Sequence, residues 1–398
     1  MKATDHKKQS EKGITRGAVT SRERSLSLDL ARGLMLLLIV LAHAPIFLFG
    51  LEPGVMNRPE SVTKVDGVID FISQLFVDNR ARPMFAALFG YGMVLVIERQ
   101  LEAGTDIKEA RRLLKRRAFF LIFFGIVLSV IIGGDDILAA YGIASLLIGW
   151  TLFRHRRVFT RTMIIICIFF LFWLPLAWMV IAYELGGLGF DSGLSATNTY
   201  ADMALERLLG FPFISIFIQL LFPVVVPMLI GMWAAKKRLL TEPQIHRHKL
   251  KLIAIIGLSV SIIGGLPLAL YGTQWWEPAP VIAGLVYALH MITGFFGGFG
   301  YAAMFGLIGS ALTHPGKIAK AIAALGKRSL TFYVFNETML VILLSPVAFG
   351  LGGMMTSTSA AVVAIFIWLT AMGLAVLLEK KKMRGPLDAL LRQLIYRK

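Results

Sequence analysis

The sequence is poor in charged residues and contains a single cysteine. Only 16% of its 398 residues are charged, against about 25% in ordinary soluble domains, and 57% are hydrophobic. A chain with so few charges cannot cover a water-soluble fold, so we expect an integral membrane protein. Cys167 has no partner within the chain, which excludes an intramolecular disulfide and leaves helix packing to stabilise the fold.

Acidic residues are scarcer than basic ones, with 24 Asp and Glu against 41 Lys and Arg and a net charge of +17. In a soluble protein this excess would suggest nucleic acid as a partner. Here the basic residues flank apolar segments, where they set membrane orientation and contact anionic lipids. We therefore expect membrane lipids, and no nucleic acid, as partners.

Long apolar runs are abundant, and they predict an all-α polytopic fold of about ten transmembrane helices. A span needs about 20 apolar residues. Such segments lie near residues 33–50, 82–98, 117–133, 136–153, 161–183, 211–234, 250–271, 281–311, 328–349 and 358–378. Residues 68–78 are too few to span alone, and two interpretations remain open for them: an interfacial helix or one part of a broken span.

The distribution of basic residues predicts that both termini are cytoplasmic. With the N-terminus inside, all but five Lys and Arg residues fall in the cytoplasmic tails and loops, as the positive-inside rule requires. The exceptions are Arg58, Lys64, Arg80, Arg82 and Arg207. The polar residues 1–27 predict a disordered basic cytoplasmic tail. Residues 28–398 then form a single transmembrane helical domain.

Two ionisable residues lie eleven positions apart in the first predicted helix. Arg32 and His43 would be about 16 Å apart along the axis on nearly the same face. An arginine at the cytoplasmic mouth can hold a phosphate, and a histidine near or beyond the midplane can act in chemistry. In the alternative interpretation Arg32 is an interfacial anchor and His43 makes a packing hydrogen bond.

Other polar residues in the apolar segments are candidates for the same site. Glu337 and His290 are predicted near mid-membrane, where a carboxylate needs a proton, a partner or water, and a histidine is a natural partner. Asp135 and Asp136 precede a predicted helix, and N-capping would account for one of them. The glycines of 294–306 predict a close-packing surface. We predict no metal site.

The full set of candidates is His43, Glu337 and His290 as catalytic residues, Arg32 as a cofactor-binding residue, and Asp29, Asp136, Tyr141 and Asn336 as further polar positions.

Five motifs occur in order along the chain: Ser27-Leu-Asp-Leu-Ala-Arg-Gly33, Phe85-Ala-Ala-Leu-Phe-Gly-Tyr-Gly92, Asp136-Ile-Leu with Tyr141-Gly142-Ile143, Leu325-Gly-Lys-Arg-Ser-Leu-Thr-Phe-Tyr333, and Arg384-Gly-Pro-Leu-Asp388 with Arg392 and Tyr396. Together they resemble the motifs of the YeiB-like bacterial membrane proteins, whose C-terminal half is domain of unknown function 418. The resemblance implies a multi-pass protein of the bacterial cytoplasmic membrane, with the domain over about residues 210–398.

The spacing of Arg32 and His43 is also similar to that of the acyltransferase-3 family, in which an arginine and a histidine form the functional pair. This likeness implies acyl-CoA, such as acetyl-CoA, as a cytoplasmic donor and a sugar, lipid or other small molecule as acceptor on the far side. His43 would be the general base, with Glu337 or His290 orienting its ring and Arg32 holding the coenzyme A phosphates. Two alternatives remain: a proton-coupled transporter or flippase, and a non-catalytic membrane partner.

Overall fold

A computed structural model describes residues 25–56, 58–189, 193–312 and 314–396. These residues form fourteen α-helices. The β-structure within them is limited to isolated β-bridges. The helices are α1 (Leu26–His43), α2 (Lys64–Phe76), α3 (Ala81–Glu102), α4 (Ile107–Ile126), α5 (Leu138–Ile148), α6 (Arg156–Glu184), α7 (Tyr200–Leu221), α8 (Val225–Lys236), α9 (Arg247–Gly272), α10 (Pro280–Ala311), α11 (Lys317–Gly326), α12 (Ser329–Leu344), α13 (Ser357–Lys380) and α14 (Pro386–Tyr396).

The helices have the length and composition of a polytopic membrane protein, which confirms the predicted fold class. Seven helical stretches among the described residues are long and apolar enough to cross a bilayer, and three shorter apolar helices accompany them. The long ones are Leu26–Phe47, Lys64–Glu102, Arg156–Glu184, Tyr200–Leu221, Arg247–Gly272, Pro280–Ala311 and Ser357–Lys380. The total of ten spans and the cytoplasmic termini remain predictions.

One predicted segment, 211–234, is not a single helix. The chain forms α7 and α8, which are separated at Phe222–Val224. Pro223 stands at the break, and a proline disfavours helical geometry at the preceding residue. Phe222 accordingly leaves the helical region, with φ −126° and ψ 60°. The segment is apolar on both sides of the break, so its composition alone did not indicate two helices.

The N-terminal boundaries differ slightly from those expected. Helix α1 begins at Leu26, two residues before the predicted domain start, and residues 1–24 of the predicted tail lie outside the described part of the chain. Residues 68–78 belong mainly to α2, which starts with a capping box between Thr63 and Asp66. Between α2 and α3 only a short turn intervenes, so the two stretches follow each other almost without interruption.

Glycines bring the helix backbones close together in the core. A Cβ atom at Gly231 of α8 would collide with the carbonyl of Ala87 in α3, and one at Gly257 of α9 would collide with the carbonyl of Phe296 in α10. Gly298 of α10 likewise packs against the backbone of α3. These contacts confirm the close-packing surface predicted for 294–306, since small residues allow near approach of membrane helices.

Helix α1 lies at the centre of these packed helices and contacts α3, α10, α11, α12 and α13. Gly33 is essential to this position, because a Cβ atom there would meet the carbonyl of Ile322 in α11. On the other side, the indole of Trp368 in α13 donates to the Gly33 carbonyl at 3.0 Å. The two ends of α1 therefore have fixed positions relative to the C-terminal helices.

Candidate functional site

His43 is the last residue of α1, and its side chain is held between two carboxylates. Its Nδ1 atom lies 2.7 Å from Oε1 of Glu337 in α12, and its Nε2 atom lies 3.2 Å from Oδ2 of Asp135, in the turn before α5. Glu337 is completely buried, whereas the Asp135 side chain is 34% exposed. The predicted proximity of His43 and Glu337 is therefore found in the structure.

This arrangement constrains the protons of the imidazole ring. A neutral imidazole has one N–H donor and one acceptor nitrogen, so it can donate to only one of two ionised carboxylates. Hydrogen bonds from the ring to both Glu337 and Asp135 therefore require one more proton, which either makes the ring an imidazolium or protonates one of the two carboxylates. Because Glu337 is buried and Asp135 reaches solvent, Asp135 is the partner that can move away and leave Nε2 open.

The turn that carries Asp135 is fixed by its neighbours. The hydroxyl of Tyr333 in α12 donates to the Asp135 carbonyl at 2.6 Å and accepts from the Ile137 amide at 3.1 Å. Asp136, the residue before the N-cap position Ile137, accepts from the amides of Leu138 and Ala139 at 2.8 and 3.0 Å, so its carboxylate bonds the first amides of α5. The turn therefore presents the Asp135 carboxylate to His43 from a rigid backbone.

His43 and Asp135 line a cavity of about 250 Å³, which we call the His43 cavity. Its wall combines α1, α3, the turn before α5, the α7–α8 junction and α10. The polar and aromatic residues in this wall are His43, Arg58, Gln74, Asp78, Asn79, Arg82, Asp135, Asp136, Phe222, Tyr287 and His290. Three of these residues carry a carboxylate and two carry a guanidinium, so the cavity suits a polar molecule.

Arg58 binds the loop before α2 to the wall of the His43 cavity. It donates through Nε and Nη2 to both oxygens of Asp78, at 2.7 and 2.8 Å, and through Nη1 to Asp70 at 2.9 Å. Burial alone would lower the pKa of this guanidinium, but the two carboxylates outweigh burial and raise it. Arg58 is thus a fully engaged, permanently charged group.

Arg32, at the other end of α1, lines a second cavity of about 550 Å³, the Arg32 cavity. The Arg32 side chain is 27% exposed, and its Nη1 atom lies 3.7 Å from Oδ1 of the buried Asp29. The other charged residues of this wall are Arg99, Glu102, Arg117, Lys327 and Asp388. The guanidinium of Arg117 lies 4.6 Å from the ring centroid of Phe89.

Sequence motifs from both ends of the chain meet at the Arg32 cavity. A Cβ atom at Gly326 would collide with the Asp29 carbonyl, which packs the Leu325–Tyr333 motif against the Ser27–Gly33 motif. Thr331 donates through its hydroxyl to Asp388 at 2.7 Å, and so holds the C-terminal helix α14 to α12. Four of the five motifs that carry the family resemblance therefore contribute residues to the wall of this cavity.

Tyr141 contacts residues in the walls of both cavities. Its ring stacks on Phe85 and Phe89, with centroids 5.5 and 5.4 Å apart, and both phenylalanines line the Arg32 cavity. Its hydroxyl donates to the carbonyl of Arg82, which lines the His43 cavity. Tyr141 is fully buried. We call these three rings the aromatic stack.

Two further predicted site residues, His290 and Asn336, are not among the hydrogen-bond partners of the His43 ring in the described part of the chain. His290 lines the His43 cavity, but its ring contacts Arg80, with Nε2 3.0 Å from Nη1 of that arginine, so Glu337 and not His290 contacts the His43 ring. Asn336 is buried in α12, and neither polar atom of its amide has a hydrogen-bond partner among the residues that the structure describes.

Asp135, Arg82 and Arg117 are site residues that the sequence analysis did not select. Asp135 had a signal, since only one Asp of the pair at 135–136 is needed to cap α5. Arg82 had one too, because it is among the five basic residues away from the predicted cytoplasmic side. Arg117 follows several other basic residues in α4, and nothing in the sequence distinguishes it from them.

The fold and the two cavities define a polytopic helical membrane protein with buried ionisable groups. Residues 234–398 match the sequence model of the family described as protein of unknown function DUF418, which confirms the resemblance over the C-terminal region. The chain is also similar to the uncharacterized protein YxaH of Bacillus subtilis (strain 168), with 26% identity over 273 residues. That match covers 61% of this chain and 65% of YxaH, just under two thirds of the relative's length.

Proposed function

We propose that the protein is a transmembrane acyltransferase of the bacterial cytoplasmic membrane. It would take an acyl group from acyl-CoA in the Arg32 cavity and transfer it to a hydroxyl or amine in the His43 cavity. The observation that carries the proposal is the position of His43: Glu337 holds its ring in one cavity, while Arg32 of the same helix lines the other cavity on the far side of the aromatic stack.

The chemistry proposed for His43 follows from its two partners. Glu337 holds the proton on Nδ1, so that Nε2 becomes the basic atom once the acceptor displaces Asp135. The Nε2 atom takes the proton of the acceptor O–H or N–H group as its oxygen or nitrogen bonds to the thioester carbonyl carbon. The C–S bond then breaks, and the departing coenzyme A thiolate receives the proton from the imidazolium.

The Arg32 cavity has the charge and size that the donor requires. Its volume is about twice that of the His43 cavity, and the cations in its wall outnumber the carboxylates by four to three. The cations are Arg32, Arg99, Arg117 and Lys327, and the carboxylates are Asp29, Glu102 and Asp388. Guanidinium groups suit phosphate oxygens because their N–H donors form a planar fork. The predicted topology places this cavity on the cytoplasmic side, where acyl-CoA is present. The thioester would reach His43 through movement of the aromatic stack.

A proton-coupled transporter or flippase is the second candidate. It is favoured by the aromatic stack, which contacts the walls of both cavities, and by the buried pair of His43 and Glu337, a common element of proton relays. The two functions differ in their product. Acyl transfer forms a new ester or amide and releases free coenzyme A, whereas transport moves an unchanged molecule.

Labelled acetyl-CoA distinguishes these functions. Inverted membrane vesicles that contain the protein are incubated with acetyl-CoA labelled in the acetyl group, and label outside the coenzyme A fraction is measured together with free thiol. We expect both to increase with wild type and with the control variant His155→Ala, whose residue is exposed before α6, but not with His43→Ala. Failure of purified wild type to bind coenzyme A or acetyl-CoA would refute the acyltransferase.

A further inference from the structure

The arginines at the His43 cavity differ in how their charges are balanced. Arg58 is paired with Asp70 and Asp78. Arg80, just behind the wall, donates to the carbonyls of Asp78 and Ser261 and contacts His290. The guanidinium of Arg82, by contrast, donates no hydrogen bond and forms no ion pair among the described residues. Its guanidinium carbon lies 4.7 Å from the ring centroid of Phe222.

The carboxylates of the same cavity are engaged elsewhere. Asp78 is bound by Arg58, Asp135 contacts His43, and Asp136 accepts from two backbone amides. A half-buried cation without a carboxylate partner is costly at membrane depth. The contact with Phe222 offsets part of that cost but uses none of the five N–H donors of the guanidinium. Arg82 therefore has donors available for an anion.

The backbone around Arg82 also favours negative charge. Arg82 is the second residue of α3, and the N-cap of this helix has no side-chain hydrogen bond. A helix N-terminus carries unsatisfied N–H groups and partial positive charge, which an anion stabilises. An arginine at this end is unfavourable for the helix alone. The positive end of α3 and the Arg82 side chain therefore both attract an anion.

Phe222 holds the guanidinium in a defined place. Its ring packs edge-on against Trp178, with centroids 5.5 Å apart, and against Tyr287 at 6.5 Å. Trp178 and Tyr287 are both buried. The break between α7 and α8 at Phe222 therefore has a consequence for the site, because it puts this ring in the wall of the His43 cavity.

We propose that Arg82 and the N-terminus of α3 form an anion site in the His43 cavity, which binds a small molecule or lipid headgroup bearing a phosphate or carboxylate. The volume of about 250 Å³ is below that of typical drug-sized ligand pockets, so the bound portion is small. That this ligand is the acyl acceptor rests on the proposed function. The anion site itself does not, since a transported substrate would use the same contacts.

The test compares charged and neutral forms of one small molecule. Binding of glycerol 3-phosphate, glycerate and glycerol to the purified protein in phosphatidylcholine nanodiscs is measured by calorimetry at low ionic strength. We expect wild type to prefer at least one anion over glycerol. Arg82→Gln should weaken anion binding about tenfold or more, because a charge-assisted contact is lost, and Arg82→Lys should weaken it less.

Two controls separate binding from folding. Arg207→Gln removes an arginine of α7 that lies outside the cavity, and it should leave anion binding unchanged. The melting temperature of Arg82→Gln should equal or exceed that of wild type, because the variant removes an uncompensated charge. If this variant does not fold, Phe222→Leu replaces it as the test, with weaker anion binding expected from loss of the ring.

The outcomes are separable from those for acyl transfer. Equal binding of glycerol and both anions by wild type, or unchanged anion binding in Arg82→Gln, would overturn the proposal. Phosphatidic acid in the nanodiscs should weaken glycerol 3-phosphate binding if the natural ligand is a lipid headgroup, and leave it unchanged if the ligand is soluble. Absence of coenzyme A binding to a protein that still binds these anions would refute the acyltransferase alone.

Discussion

The Arg32 cavity and the His43 cavity lie at opposite ends of α1 and differ in size and in the groups that line them. The Arg32 cavity is about 550 Å³, and four cations and three carboxylates from several helices and loops line it. The His43 cavity is about 250 Å³, and its wall includes a histidine that a buried carboxylate holds. The first is suited to a large anionic molecule, and the second to a small polar group aligned beside one histidine. This asymmetry favours a donor and an acceptor over one substrate that visits both sites.

The largest expected effect concerns the side of the membrane to which each cavity opens, which cysteine labelling can measure. In a Cys167→Ser background, Ala196→Cys should react with an impermeant thiol reagent in intact cells. Ile245→Cys, in the basic connection between α8 and α9, should react only after permeabilisation, because the basic residues fix the orientation. Both positions are exposed. The reverse labelling would place the Arg32 cavity outside and remove its access to acyl-CoA.

The next largest effect is expected at His43. If its ring is the general base, His43→Ala and His43→Asn should both lower acyl transfer by about 10² or more while coenzyme A still binds. If the ring only makes a packing hydrogen bond, asparagine should restore much of what alanine loses. Transfer is measured with purified variants and normalised to folded protein. Turnover near wild type in His43→Ala would end the general-base proposal.

Arg32 should affect binding of the donor before it affects the chemical step. Arg32→Ala removes a guanidinium from the larger cavity and should weaken coenzyme A binding about tenfold, the usual consequence of losing one charge-assisted contact to phosphate. Calorimetry with coenzyme A measures the change. Arg157→Ala, which removes an exposed arginine at the start of α6, is the matched control. An equal loss of coenzyme A affinity in both variants would mean that Arg32 contributes only to the overall positive charge of the surface.

The smallest predicted effect concerns the turn beside His43. Tyr333→Phe removes a hydroxyl that bonds both the Asp135 carbonyl and the Ile137 amide, and should lower stability by about 1 kcal/mol. Thermal unfolding in detergent measures this change. Tyr183→Phe alters a tyrosine that is 67% exposed and should have no effect. A melting temperature that is unchanged in Tyr333→Phe would mean that the turn is held by its other contacts.

The sequence predicted single helices well but predicted few of the contacts between them. Apolar length locates the segments because a bilayer requires it, and the Asp136 cap is a local interaction that neighbouring residues determine. The break at Phe222 has a local signal in Pro223. Yet Pro175, Pro212 and Pro267 stand inside helices, so a proline alone does not locate a break.

The site was harder to predict because its contacts join distant parts of the chain. His43 and Glu337 are 294 residues apart, and one sequence contains no sign of which buried polar groups will meet. The sequence analysis left both Glu337 and His290 open as partners of His43 at membrane depth. Packing decided between them: α12 lies against α1 at this level, while the ring of His290 is held against Arg80.

The central place of α1 has a consequence for biosynthesis. This helix is made before the groups that hold it, Glu337 at His43 and Trp368 at Gly33, which belong to α12 and α13. At about 5 to 20 residues per second, the 294 residues between His43 and Glu337 take roughly 15 to 60 s to translate. Throughout that interval the polar groups of α1 lack their final partners. Release of α1 into its permanent position is therefore a late event in assembly.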